Sequence, residues 1–253
     1  MRIQSIKTRR LNPPKDDLLG VIFNSIKNIP ENSILAVTSK VVSYWQGQVI
    51  PVSKFPKRDD LIKQEAERYL DRKLVPHRHA ILTIKNNLLI PSAGVDKNKK
   101  KGYYILWPKK PNDAAKKIAE ALRKHYEIKN VGVLITDSHS LPLRRGVLGI
   151  SLGHSGFKPI KDYRYLNKEQ RIARGITQSN LADGLAAAAV AVMGEGFERT
   201  PLALITDIPF VEFTIEFKPG KKPYSSFEVP ENEDLYLPLL KSVPWKKGGS
   251  KKA

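Results

Sequence analysis

Cysteine is missing altogether from the 253 residues. That excludes disulfides, zinc–thiolate centres and a cysteine nucleophile, and it fits a reducing, cytoplasmic setting. Acidic residues are scarce beside basic ones: 25 Asp and Glu stand against 44 Lys and Arg, a formal net charge of +19. Long apolar runs are lacking too. The most apolar stretch, Leu185–Met193, is mostly alanine and far shorter than a bilayer span. The opening residues MRIQSIKTRRLNPP hold no apolar run of signal-peptide length, so no membrane partner is expected.

What is present is ordinary for a globular chain: 41% hydrophobic and 27% charged residues. A chain this long can bury a full core without staples. The positive charge raises the question of a polyanionic partner such as nucleic acid. The lysines are dispersed, with dense spots at Lys97–Lys101 and Lys246–Lys252, and no recognised nucleic-acid module accompanies them. A solvated basic surface is the favoured reading.

Helical and extended signals are interleaved without strict alternation, which predicts an α+β fold with mixed or antiparallel sheets. Strands are expected at Arg2–Lys7, Ser33–Val37, Ala80–Ile84, Leu88–Ile90, Tyr103–Leu106, Val131–Ile135, Val147–Leu152 and Leu202–Ile205, with a hairpin turn at Asn86-Asn87. Helices are expected at Asp16–Ile26, Asp59–Leu70, Pro111–Tyr126 and Gln178–Met193. Beyond Lys218, prolines at 219, 223, 230, 238 and 244 punctuate the chain. The domain reading is therefore 1–217 as the main body and 218–253 as an irregular basic extension.

Three carboxylates stand out: Asp96 in SAGVD, Asp137 where VGVLI ends, and Glu195 in MGEG. Each is placed beside a turn, where side chains are not committed to the core and can converge on one point. Hard divalent cations take oxygen ligands of this kind. Each residue alone could equally be a cap or turn residue. Glu195 is the exception, because a negative charge at a helix C-terminus opposes the macrodipole and invites a cation. Glycines at 146, 149, 153 and 156 could bring backbone N–H groups to an anion, although their spacing matches neither a P-loop nor a dinucleotide fingerprint. His139 and His154 are weaker candidates for ligand contact.

Five blocks together resemble the coenzyme F-420 (deazaflavin) gamma-glutamyl ligase family. They are VTSKVVS (Val37–Ser43) with Gln46-Gly47, SAGVD (Ser92–Asp96), VGVLITDS (Val131–Ser138), RRGVLGISLGHSGFKPIKDYR (Arg144–Arg164) and LADGLAAAAVAVMGEG (Leu181–Gly196). They stand in the family's order and cover most of the chain. The resemblance implies a cytoplasmic homodimer that uses GTP, two divalent cations (Mg or Mn) and a monovalent cation, for which K is the candidate. The product would be an amide between an acceptor carboxylate and glutamate, the acceptor being the deazaflavin coenzyme, a folate or another acid. Carried over by position, Asp96 and Asp137 would hold one metal, and Ser138 with Glu195 the second. Ser39, the Met193–Gly196 turn (Met193, Gly194, Gly196) and the Leu11–Pro14 segment would contact the nucleotide. Lys40, Arg144 and Arg145 are basic groups that could serve phosphate or carboxylates. Departures are visible: Tyr44 stands where the family has a phosphate-binding Lys, Gln46 where it has an acid, and Asn98 lies one place early. The alternative from another class is a non-catalytic RNA or polyanion binder on the same fold, which would have no need to keep the four metal positions.

Overall fold

In the computed structural model, residues 1–98, 102–163, 177–215 and 227–250 are described. Arg164, the lysines at 99–101 and 251–252, Pro219 and Pro223 therefore lie outside the described residues. The elements in chain order begin with β1 (Arg2–Ile6), α1 (Leu18–Ser25), β2 (Ser33–Thr38), α2 (Ser39–Trp45), β3 (Val49–Pro51), α3 (Arg58–Glu65) and β4 (Arg68–Tyr69). There follow β5 (Leu82–Lys85), β6 (Leu88–Pro91), β7 (Asp96–Asn98), β8 (Tyr103–Ile105), α4 (Pro111–Tyr126), β9 (Val131–His139) and β10 (Leu148–Ser155). The last are β11 (Ile160–Asp162), β12 (Gln178–Asn180), α5 (Leu181–Met193), β13 (Leu202–Thr206), α6 (Leu237–Lys241) and β14 (Lys246–Lys247). This is the α+β class expected from the sequence.

The chain packs as two compact units. One comprises Met1–Gly47 with Pro108–Lys218, the other Gln48–Trp107 with Pro219–Ala253. The first unit is built on a five-stranded sheet in the order β1-β13-β2-β9-β10, in which only β2 and β9 run parallel. β2 and most of β9 are continuous apolar runs because both faces of the sheet are covered. α5 packs over β1, β13, β9 and β10, and α4 packs over β9 and β10.

Glycine decides how closely these helices approach. A Cβ on Gly149 would overlap the backbone of Ala186 in α5, and one on Gly153 would meet Pro111 and Asn112 at the start of α4. The β9–β10 register slips between Ser151 and Gly153, so these two glycines, four apart, serve opposite faces. α5 therefore lies on one face and α4 on the other. Gly156, at φ +89°, passes against Val131 and Gly132. Gly149, Gly153 and Gly156 are thus points of close packing, and in this run Gly146 faces open space.

α4 has the bounds the sequence predicts, with Pro111 in its first turn and Ala115, Ile118, Ala119 and Leu122 buried on one face. Full burial of each larger aliphatic contributes roughly 1.5–3 kcal/mol. α1 is shorter than expected, and Asp17 caps it by accepting from the Gly20 N–H.

The second unit holds two small sheets, β14-β4-β5-β6 and β3-β8-β7, around Leu61, Ile62, Ala66, Ile81, Ala93, Val95, Tyr104 and Leu106. The expected hairpin turn is present, with Asn86 and Asn87 both at positive φ between β5 and β6. Three expectations are corrected. The helix read as Asp59–Leu70 stops at Glu65, and Arg68–Tyr69 joins a sheet because the apolar periodicity ends there. The helix read from Gln178 begins at Leu181, since Asn180 caps it and Gln178–Asn180 pairs with β11. The strand read as Val131–Ile135 continues to His139 because β10 offers it a partner from Val133 to His139. The segment after residue 226 is tied to its own unit: β14 pairs with β4, Arg68 forms a bidentate pair with Glu231, and Gly248 bonds Glu67. Among the described residues no helix is long and apolar enough to cross a membrane.

Candidate active site

The end of β9 carries Asp137 and Ser138 as successive strand residues, so their side chains leave opposite faces of the sheet. Ser138 stands opposite Gly149 in the β9–β10 register. Gly149 is the residue that admits α5, which puts Ser138 on the α5 face. α5 ends at Met193 with Gly194 as its C-cap, and Glu195 follows at once. The consequence is a close pair: Ser138 Oγ lies 2.7 Å from Glu195 Oε1 and 2.8 Å from Oε2. A hydroxyl facing both oxygens of one carboxylate helps offset a negative charge set against the helix dipole.

Asp137 turns to the other face. β2 and β9 run parallel with Thr38 opposite Thr136, so Ser39 and Asp137 are the next residues along each strand direction. Ser39 opens α2 and its Oγ donates to Asp137 Oδ1 at 3.0 Å. One strand end therefore carries two oxygen-rich pairs, one per face.

The loop after α5 is tightly closed. Thr200 Oγ1 donates to the Met193 carbonyl, and the Gly196 N–H donates to Glu198 Oε2 at 2.8 Å. A Cβ on Gly194, at φ +79°, would collide with the Glu198 carboxylate. Met193, the last residue of α5, is buried, whereas Gly194, Glu195, Gly196 and Phe197 are exposed. Sequence reasoning overlooked Glu198. Its signal was the second glycine of MGEG, which only pays off if something packs over it.

Asp96 belongs to the other unit. It opens β7 opposite Ile105, is exposed, and accepts from the Lys97 N–H at 2.7 Å. The turn before it is unusual, with Ser92, Ala93 and Gly94 all at positive φ. Thr83 Oγ1 accepts from the Ala93 N–H, Trp107 fills the space a Cβ on Gly94 would need, and Arg58 Nη2 donates to the Val95 carbonyl.

The remaining residues singled out in the sequence fall as follows. Leu11 is buried and Lys40 is exposed at the start of α2. Tyr44 is buried on α2. Gln46 exchanges two hydrogen bonds with the Lys109 backbone. Arg144 and Arg145 are exposed in the loop joining β9 to β10, together with the fully exposed Leu143. His154 is buried beside Phe157, and burial pushes its pKa down to about 4. Burial lowers His139 as well, partly offset by the charge of Asp183. Both imidazoles are neutral at neutral pH and are poorly suited to neutralising phosphate.

Among the described residues no three His, Asp or Glu side chains group so as to hold a metal ion by themselves. The donor chemistry at the β9 end nonetheless fits hard cations. Each face offers one carboxylate and one hydroxyl, all oxygen, with no sulfur or imidazole in the pairs.

The family model described as F420-0:Gamma-glutamyl ligase matches residues 5–207. A protein of Methanopyrus kandleri named coenzyme F420:L-glutamate ligase is 31% identical over 221 residues, 81% of this chain and 86% of that protein. The protein of the same name from Methanocaldococcus jannaschii is 30% identical, covering 72% of this chain and 79% of its own length. That from Halorubrum lacusprofundi is 26% identical, covering 77% and 82%. The chain belongs to the F420-0:Gamma-glutamyl ligase family and is a ligase of the gamma-glutamyl type.

Proposed function

We propose that this protein joins L-glutamate to an acceptor carboxylate at the expense of GTP or a related nucleotide, through an acyl phosphate. The acceptor we favour is the deazaflavin F420-0, for which the family is described. A folate or another acid is the alternative acceptor. The observation that carries this reading is the pair of oxygen-donor sites on opposite faces of the β9 end, Ser39–Asp137 and Ser138–Glu195.

The chemistry explains why such residues are needed. A carboxylate is a poor electrophile. Transfer of the γ-phosphoryl group to its oxygen gives an acyl phosphate and a nucleoside diphosphate. The glutamate amine then attacks the acyl carbon, inorganic phosphate leaves, and the amine gives up a proton. Divalent Mg or Mn, when bound, would neutralise the charge that shifts during phosphoryl transfer. Asp96 and Asp137 are the proposed ligands of one ion, and Ser138 with Glu195 of the other. Ser39, Lys40, Leu11 and the Met193, Gly194 and Gly196 turn are the proposed nucleotide contacts. Lys40 supplies a point charge for phosphate at the mouth of α2. A monovalent cation such as K and a homodimeric assembly in the cytoplasm complete the proposal. Residues 1–217 carry the ligase in this reading, with 218–253 as an addition beyond the family match.

The test is phosphate release from GTP or ATP with Mg or Mn, F420-0 and L-glutamate, with the product weighed by mass spectrometry. The expected product is the acceptor plus one glutamyl residue, formed only with nucleotide and metal present. Salt-sensitive RNA binding, with no metal-dependent turnover on any carboxylate acceptor, would favour a polyanion binder instead.

A further inference from the structure

We infer that Ser39, besides its proposed contact with the nucleotide, is a positioning residue for Asp137. This rests on the ligase reading, in which Asp137 is a metal ligand. A serine hydroxyl has one proton to give. Here that proton is directed at Asp137 Oδ1, 3.0 Å away. Ser39 is only 5% exposed, so water competes little for it.

The backbone enforces the contact. β2 is buried along nearly its whole length and pairs in register with β9 up to Thr38 opposite Thr136. Ser39 is the first residue after that ladder and the first of α2. Its Cα is therefore fixed by the sheet on one side and by the helix on the other. The Ser39 carbonyl is fixed as well, since Ser43 Oγ donates to it at 2.9 Å. A hydroxyl held this way sets the rotation of the Asp137 carboxylate before any cation arrives. Partners that orient a metal-binding carboxylate typically change metal affinity 10- to 100-fold when removed.

The experiment uses the full chain and Mn(II) without nucleotide, counting free Mn(II) by electron paramagnetic resonance. GTP affinity with Mg is measured in parallel by calorimetry. Ser39→Ala should weaken Mn(II) binding about 10- to 100-fold. Ser39→Thr and Ser39→Val supply a comparison at constant shape: Thr keeps the hydroxyl and should bind Mn(II) within a few-fold of the parent, while Val should match Ala. This pair decides the matter if the alanine variant folds poorly. Equal Mn(II) affinity in the Thr and Val variants overturns the inference. So does a loss confined to GTP affinity, which would leave Ser39 to the nucleotide alone. Failure of the ligase reading looks different, because the parent itself would then bind no Mn(II) and turn over no acceptor.

Discussion

The two units position their acidic residues by different means. In the first, Asp137, Ser138 and Glu195 with Ser39 come from the start of α2, the end of β9 and the loop after α5, and the central sheet brings them together. In the second, Asp96 is set locally by the strained Ser92–Gly94 turn, its fit against Trp107, and the hold of Arg58 on Val95. The first arrangement depends on register and helix docking, the second on a few consecutive dihedrals. Damage to each should therefore look different, and that contrast can be tested.

The largest effect is expected from Asp137→Asn. It removes the charge but keeps the shape and an acceptor for Ser39. Nucleotide turnover should fall about a thousandfold, roughly 4 kcal/mol of barrier. The melting temperature should move little, because a half-buried polar side chain at a strand end supports little core. Steady-state phosphate release and a thermal melt measure both. Turnover within tenfold of the parent would remove Asp137 from the chemistry and dissolve the contrast.

Acid should separate the units next. His154 lies on β10 in the first unit, with its pKa lowered from 6.5 to about 4 by burial. Its neutral form is the one that fits the fold. Between those values the unfolded chain binds the extra proton, so stability is fully present above pH 6.5 and declines as pH falls toward 4. The loss reaches on the order of 3 kcal/mol. Burial lowers His139 in the same unit, which adds in the same direction. In the second unit the shifted acids are Asp59, lowered by Arg72, and Asp71, lowered by Lys246, so their contribution is lost only below the ordinary carboxylate range, while Arg72 and Lys246 are raised and stay charged throughout. Hydrogen exchange at pH 5 should show β10 and its neighbours opening before β5 and β6. Equal opening would refute this order. His154→Gln should flatten the slope between pH 6.5 and 4.

Two glycine substitutions sharpen the contrast further. In Gly149→Ala the new methyl overlaps α5 backbone, and overpacking of this kind costs about 1–3 kcal/mol. Because α5 carries Glu195 at its end, Mn(II) affinity should fall together with stability. Gly94→Ala meets Trp107 and a φ of +67°, with a stability cost of similar size. Its strain falls on the Asp96 turn, so the Ser138–Glu195 pair should stay intact. Denaturant melts and Mn(II) titration of both variants separate the cases. A Gly149→Ala protein with parental metal affinity would show that α5 docking does not set the site.

The smallest effect concerns charge at the proposed nucleotide site. Tyr44 is buried, so no cation replaces the family's lysine there, whereas Lys40 is exposed four residues earlier on α2. Lys40→Ala should weaken GTP binding about tenfold, near 1.4 kcal/mol. Tyr44→Lys should give at most a modest gain and should lower stability, since it buries an ammonium group. A large gain in GTP affinity for Tyr44→Lys, with no loss in Lys40→Ala, would mean the missing charge is uncompensated.

The sequence by itself determined the class of fold and most elements, and it singled out the candidate ligands. Apolar periodicity placed α4 at its true bounds and the core strands within a few residues, because burial of one face is written directly in residue spacing. The Asn86-Asn87 turn was legible for the same local reason. The five blocks in order indicated the family that the match over residues 5–207 shows. Only tertiary structure decided what joins what. Nothing in the spacing says that β2 and β9 lie parallel with Thr38 opposite Thr136, yet that register gives Asp137 its serine. Nothing local says that β9 runs on to His139, because the extension depends on a partner strand. The spacing of the glycines in the 146–156 run matched no phosphate-binding pattern, and only the structure shows that three of them are points where helices and strands touch. Local dihedral and hydrophobic preferences act between near neighbours in sequence. The contact between Ser39 and Asp137, and that between Ser138 and Glu195, exist only once the sheet has chosen its register and α5 has docked on Gly149.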